Sequence, residues 1–235
     1  RGVDESAAAA ENAGETDADI LVYVDMGGGS TDIGVKVHRG KNKWEAVYLT
    51  SVIYGGTAMV HGYAGRSASG KGLSCLTNKT TTDVLRRRIR ESPNTKAVLS
   101  DPTLFKHETV VKRRTTHFYG CIIEYISRIA ASCILDQSFK VFEDDEWKFR
   151  QNLKFNFFFL GNGWGFYSLA ANEPEAALAS TIYARMIELI KGEKSDYAKT
   201  VKKGLSIAEA PDCPPMRGVL HRKAGVAVGV LKAEN

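Results

Sequence analysis

The stretch Asp25-Met26-Gly27-Gly28-Gly29-Ser30-Thr31-Asp32 joins two apolar runs, Ile20 to Val24 and Ile33 to Val37. Apolar runs that meet at a glycine cluster read as the two strands of a hairpin. A tight hairpin turn needs only one or two glycines and no flanking carboxylates. Three consecutive glycines let the backbone approach a ligand closely and take positive φ at no steric cost, so successive N–H groups can point at one anion. An aspartate beside such a turn does not bind a phosphate directly; it holds a metal ion or orders a water. The pattern predicts a metal-nucleotide site made by Gly27, Gly28, Gly29 and Ser30, with Asp25 and Asp32 at the two ends.

The rest of the chain supplies the elements to carry such a turn. Trp44 to Val52 alternates and reads as a third strand, after which Gly55-Gly56 ends the meander. From there to about Arg114 glycine, serine and threonine are frequent through Thr82 and basic residues follow, as expected of an inserted subdomain over 58–114. Phe118, Ile122, Ile126, Ile129 and Cys133 recur at three- and four-residue steps and predict an amphipathic helix over Thr116 to Leu135. Residues 139–153 read as a charged connection. Phe155 to Leu160 reads as a buried strand stopped by Gly161-Asn162-Gly163-Trp164-Gly165. Asn172-Glu173-Pro174-Glu175 has the cap, early proline and later glutamate that open a helix, which runs to Lys191 and stops at Gly192. A short strand at 205–208, a loop from Pro211 to Pro215 and a small-residue helix from His221 to Lys232 complete the expected map. No internal repeat is visible.

Composition excludes several classes. With 235 residues, 43% of them hydrophobic and 25% charged, the chain has ordinary globular composition. It has no run of about 18 apolar residues, the nearest being Phe155 to Leu160, so no membrane-spanning segment is expected. Residues 1–19 are acidic and alanine-rich, unlike a secretion signal. Cys75, Cys121, Cys133 and Cys213 show no zinc-ligand spacing, and reduced thiols in a cytoplasmic protein are expected. The start at Arg1, with Asp4 to Ala10 reading as the end of a helix, suggests a fragment cut at a domain boundary.

The order of motifs resembles the second lobe of the superfamily of actin, the seventy-kilodalton heat-shock proteins and the sugar kinases. Asp25 to Asp32 looks like its second phosphate motif, Phe158-Phe159-Leu160-Gly161-Asn162-Gly163 like its adenosine motif, and Gly225 to Leu231 like its closing hinge helix. Glu5 to Ala10 is similar to the alanine-rich inter-lobe segment of heat-shock relatives, which makes 1–17 a linker or helix end. The resemblance implies an α/β fold with a ribonuclease-H-like mixed sheet flanked by helices, over 18–57 and 115–235, interrupted by a small α-rich or α+β subdomain. It implies ATP or ADP with Mg²⁺ as cofactors. Gly27, Gly28, Gly29 and Ser30 would hold the β- and γ-phosphates, Asp25 would hold Mg²⁺ through water or orient the attacking water, and Asp32 is a second candidate for that catalytic region. Gly161, Asn162, Gly163 and Trp164 would line the adenosine. The family has a second glycine where this chain has Asn162, and an adenine-stacking arginine in the region where it has Trp164 and Gly165. The Trp164 ring could replace that stacking or belong to the core.

The superfamily clamps its nucleotide between two lobes, and the first lobe supplies another phosphate loop. Phosphoryl transfer needs positioning and charge stabilisation from several sides, so this lobe alone is expected to bind nucleotide weakly and hydrolyse it poorly. The missing first lobe is thus the expected partner, beside a protein client or further copies of the chain. The implied parent is a chaperone-type or regulatory ATPase; a filament-forming actin-like ATPase and a sugar kinase or exopolyphosphatase are the alternatives, the last expected to carry glutamate in place of Asp32.

Other signals carry less. Gly65 to Gly72 approaches a Walker loop, but Gly72 lacks the hydroxyl that binds Mg²⁺, so a loop is expected. Between Lys79 and Arg114 there are ten Lys or Arg against four acids, a local +6 that exceeds the +5 of the whole chain. A solvated helix face, an acidic partner, or a basic residue reaching the nucleotide cleft would each account for it. The segment has no series of interleaved aromatics to stack nucleic acid, Phe105 being its one aromatic ring of that kind. Asn78-Lys79-Thr80 reads as a chance glycosylation match, and the five histidines show no metal spacing.

Overall fold

The structure, a computed structural model, describes residues 18–39, 44–65, 74–92, 95–136, 154–167, 176–196 and 198–199. It is mixed α/β. Four strands, β1 (Ile20–Met26), β2 (Thr31–His38), β3 (Trp44–Val52) and β4 (Phe155–Leu160), form one sheet in the order β3-β2-β1-β4. The first three are an antiparallel meander, and β4 joins β1 in parallel.

Period-two alternation assigns the two faces. Ile20, Val22, Val24 and Met26 of β1, Ile33, Val35 and Val37 of β2, and Phe155, Phe157 and Phe159 of β4 belong to the main core. Burying each such side chain contributes about 1.5–3 kcal/mol. Leu21, Tyr23, Phe158 and Leu160 form a second, smaller cluster that partly buried Trp44 joins. Apolar side chains on both faces explain why β1 reads as a continuous apolar run. β3 lies at the sheet edge with half of its side chains exposed, and a register shift falls between Val35 and Lys36 on its partner.

Helices α1 (Gly56–Ala64), α2 (Thr82–Glu91) and α3 (Thr95–Leu99) follow β3. The long helix α4 (Glu108–Leu135) precedes β4, and α5 (Ala176–Gly192) comes after it. Helix α4 starts eight residues before the expected Thr116, because buried Val111 and Thr115 continue its apolar stripe back through Lys112, Arg113 and Arg114. It packs on α5 through Ser127, whose hydroxyl is 3.2 Å from the Ile182 carbonyl, and through Glu124, whose carboxylate accepts from Arg185 at 2.7 Å. Among the described residues α4 alone is long and apolar enough to cross a membrane, and 56% of its most apolar stretch is buried inside the protein, as in a core helix.

The 58–114 segment contributes Met59, Val60, Tyr63, Leu76, Leu85, Leu99, Leu104 and Phe105 to the same apolar cluster as the sheet. Its links to the core are specific. The Tyr63 hydroxyl lies 2.5 Å from that of Thr115, the Tyr63 and Phe105 rings meet edge to face, and Leu76 bridges to Phe105. Arg114 donates to the carbonyls of Gly62 and Tyr63 in the last turn of α1. The opening of the near-Walker sequence has a structural role: Gly65, at φ 68°, is the left-handed cap of α1, and its N–H donates to the Gly62 carbonyl. The rest of that sequence, the linker at 1–17, the cap at Asn172 and everything expected beyond residue 200 lie outside the described residues.

Candidate functional site

The glycine turn and the loop after β4 converge on one end of the sheet. Asp25 and Asp32 are direct partners across the β1–β2 hairpin, and residues 27–30 form the connection above them. The Gly27 N–H donates to the Ser30 carbonyl at 2.9 Å and closes the turn. On its other side, Asp25 is level with Leu160, the last residue of β4. Both aspartates stand on the face that carries Tyr23 and Leu160, and both are half-buried.

Gly161 takes the chain away from β4 with φ 83°, in the left-handed region that favours glycine. A Cβ there would lie 2.3 Å from the Met26 carbonyl oxygen and 2.5 Å from a carboxylate oxygen of Asp25. The next glycine is as constrained, since a Cβ on Gly163 would meet the Met26 side chain at 2.3 Å. Two sequence motifs separated by more than a hundred residues thus meet at Asp25 and Met26, with glycines where side chains would collide.

The turn uses glycine differently from the sequence expectation. Among the described glycines only Gly65 and Gly161 have positive φ, so Gly27, Gly28 and Gly29 do not form a nest of alternating handedness. Their contribution is space: a Cβ on Gly29 would meet nothing within 4 Å, and one on Gly28 only the Thr57 hydroxyl at 4.0 Å. Gly28 and Gly29 are exposed, Ser30 is half-buried, and no described residue accepts from the N–H groups of these three.

Of the two places open to Trp164, the structure gives it the core. It is fully buried, its indole N–H is 3.4 Å from the Val24 carbonyl, and its ring packs against Tyr119 and Phe159. No face is left for a base, so Trp164 is a core residue. Asn162 opens a short 3-10 turn, Asn162–Phe166, which the Tyr119 hydroxyl holds through the Gly163 carbonyl.

The junction between β3 and α1 also belongs to this site, although its sequence signalled only the end of the meander. Thr31, fully buried, donates its hydroxyl to the Tyr54 carbonyl at 2.5 Å. The N–H groups of Gly56 and Thr57 donate to the carbonyls of Gly27 at 3.1 Å and Gly28 at 2.6 Å. Tyr54 stacks on Phe118 of α4 with ring centroids 4.6 Å apart. Burial, reinforced by the Cys121 sulfur, pushes the Tyr54 hydroxyl up to about 12, which keeps it protonated.

Among the described residues no group of three or more His, Cys, Asp or Glu is placed to hold a metal ion. The arrangement therefore offers two neighbouring carboxylates and a row of backbone donors, a set suited to a hydrated cation carried by an anionic ligand. Comparison with known protein families finds no model that matches this chain, and comparison with curated proteins finds no match.

Proposed function

We propose that this chain is the nucleotide-binding second lobe of a heat-shock-like ATPase, of chaperone or regulatory type, and that the end of the sheet described above is one wall of its ATP site. The observation that carries the reading is the convergence of the two glycine motifs on Asp25 and Met26. A hairpin turn that served only to connect strands has no need of a distant, left-handed glycine pressed against its aspartate. The order β3-β2-β1-β4, with β4 parallel to β1, supports a ribonuclease-H-like sheet for the lobe.

In this reading the N–H groups of Gly28, Gly29 and Ser30 bind the β- and γ-phosphates, each charge-assisted bond contributing about 1.5–3 kcal/mol net of the water it displaces. Mg²⁺ keeps most of its waters and takes few protein ligands when it arrives with phosphates, which fits a pair of carboxylates better than a cage. Asp25 holds one of those waters and Asp32 reinforces the negative field. Gly161 and Gly163 let the chain turn away beside the nucleoside. Adenine is recognised without stacking on Trp164. The opposite wall comes from a first lobe of the same protein, so the chain alone turns over ATP slowly.

Anisotropy of a fluorescent ADP analogue, titrated with the chain in the presence and absence of Mg²⁺, tests the reading. Weak binding that Mg²⁺ strengthens, and that loses its Mg²⁺ dependence in Asp25→Asn, supports it. Binding that is indifferent to both Mg²⁺ and Asp25 removes the metal-phosphate site.

A further inference from the structure

We infer that Gly55, Gly56 and Thr57 are positioning residues that aim the N–H groups of the glycine turn at the ligand; the inference rests on the phosphate-binding reading of that turn. In a trans peptide the carbonyl of one residue and the N–H of the next point in opposite directions, and no cis peptide occurs among the described residues. The Gly27 carbonyl is drawn toward α1 by the Gly56 N–H, and the Gly28 carbonyl by the Thr57 N–H. The N–H groups of Gly28 and Gly29 therefore point away from α1, toward the same side. Two successive peptides are turned by two successive donors.

This clamp requires glycine at position 55. A Cβ on Gly55 would lie 2.7 Å from the Gly27 carbonyl oxygen and 2.9 Å from that of Gly28. These are backbone atoms, which cannot swing aside as the end of a side chain would. Gly55 has extended backbone, φ −135° and ψ −168°, so the demand is for closeness and not for an unusual dihedral angle. The clamp is anchored in turn: Thr31 holds the Tyr54 carbonyl, and Tyr54 stacks on Phe118. The start of α1 is thereby fixed to β2 and to the core helix, and the direction of the turn's donors follows from that frame. Two N–H groups aimed to one side suit the oxygens of a terminal phosphoryl group.

Gly56→Pro tests the inference. Proline is favoured at the first helical position, and the extended backbone of Gly55 suits a residue before proline, so α1 is retained. The ring removes the N–H that holds the Gly27 carbonyl and occupies its place. The ¹⁵N-labelled chain is titrated with MgADP while the amides of residues 28–30 and of Gly161 and Gly163 are followed. The expected result is a folded chain in which the shifts at 28–30 and at Gly161 and Gly163 all need about tenfold more MgADP, for lack of one charge-assisted bond, and in which the shifts at saturation are preserved at Gly161 and Gly163 but changed at 28–30. Gly62→Ala, on the same helix with open space around it, should titrate like the wild type. Equal responses at 28–30 in Gly56→Pro and wild type overturn the clamp and leave the nucleotide site standing. No response at any of these amides in the wild type overturns the nucleotide reading, and the inference falls with it. If Gly56→Pro does not fold, Gly55→Ala carries the same test: its Cβ pushes the Gly27 and Gly28 carbonyls away, so a lowered melting temperature with weakened MgADP binding is expected, and wild-type binding overturns the clamp.

Discussion

Gly161 and Asp25 meet so closely that a Cβ on the glycine would lie 2.5 Å from the aspartate's carboxylate oxygen. Gly161→Ala would place that Cβ against the Met26 carbonyl as well and force a left-handed residue to carry a side chain. The conformational cost alone is about 1–2 kcal/mol, and overpacking adds about 1–3 kcal/mol. Urea unfolding should show a loss in this range together with weakened MgADP binding. Wild-type stability and binding would mean that the loop after β4 does not press on the end of β1.

Tyr23 and Gly34 are register partners on β1 and β2, and a Cβ on Gly34 would fall 2.1 Å from the tyrosine ring. Gly34→Ala must displace that buried ring, at about 1–3 kcal/mol. Made in a Tyr23→Ala background, the same substitution should be neutral or stabilising by about 0.5–1 kcal/mol, since glycine is a poor strand residue. A double-mutant cycle should thus give coupling of at least about 1 kcal/mol. Additive effects would contradict the packing.

Gly120 lies on the exposed side of α4, with nothing within 4 Å of the position its Cβ would take. Gly120→Ala should raise stability by about 0.5–1 kcal/mol through helix propensity and the unfolded chain's lost freedom. Thermal melts decide it. A destabilised Gly120→Ala would show that this side of α4 is packed.

The hydrogen bond from Arg185, joined by that from Arg128, holds the Glu124 carboxyl below its ordinary range. A carboxyl lowered in the folded state adds stability above its unfolded pKa, about 4.3, and loses it as pH falls through the lower folded value. The wild type should therefore lose more stability than Glu124→Gln between pH 5 and pH 3, by roughly the modest amount exposed ion pairs supply. Salt should narrow the gap. Parallel acid limbs for the two proteins would deny the α4–α5 bridge a role.

Burial pushes the Cys133 thiol up to about 12 and raises that of Cys75, whereas Cys121 is exposed on α4. Alkylation requires an accessible thiolate. With iodoacetamide at pH 8, peptide mapping should find Cys121 modified in the native protein, and Cys75 and Cys133 only after unfolding. Early modification of Cys133 would contradict the core described here.

The strands were legible because their signals are local. The alternation of β2 and β3, the continuous apolar run of β1 and the phenylalanines of β4 each follow from which faces are buried, and the glycine turn follows from its own composition. Helix α1 was not legible: Gly56 and Gly62 lower its propensity, and it forms because Tyr63, Met59 and Val60 enter the core. The start of α4 was hidden by Lys112 and Arg113, which are exposed, and by Arg114, which reaches back to the carbonyls of α1, while Val111 and Thr115 keep the stripe. At the candidate site, the pairing of Asp25 with Asp32 across the turn could be read from sequence, but the burial of Trp164 could not, since a tryptophan after a Gly-x-Gly turn can stack on a base or pack on Tyr119 and Phe159. The contacts of Gly55 to Thr57 with the turn are long-range and leave no spacing to read.

In the proposed function, the glycine turn and the loop after β4 face one metal-nucleotide ligand. Replacing Mg²⁺ with Fe²⁺ on ATP and adding ascorbate and peroxide generates radicals at the metal, which cut the backbone nearest to it. Mapping the cuts by mass spectrometry should place them within residues 25–30 and 160–163 together, with both sets suppressed by excess MgATP. Cuts confined to the basic helix α2, or cuts that excess MgATP does not suppress, would place the metal away from the glycine turn and remove the proposed site.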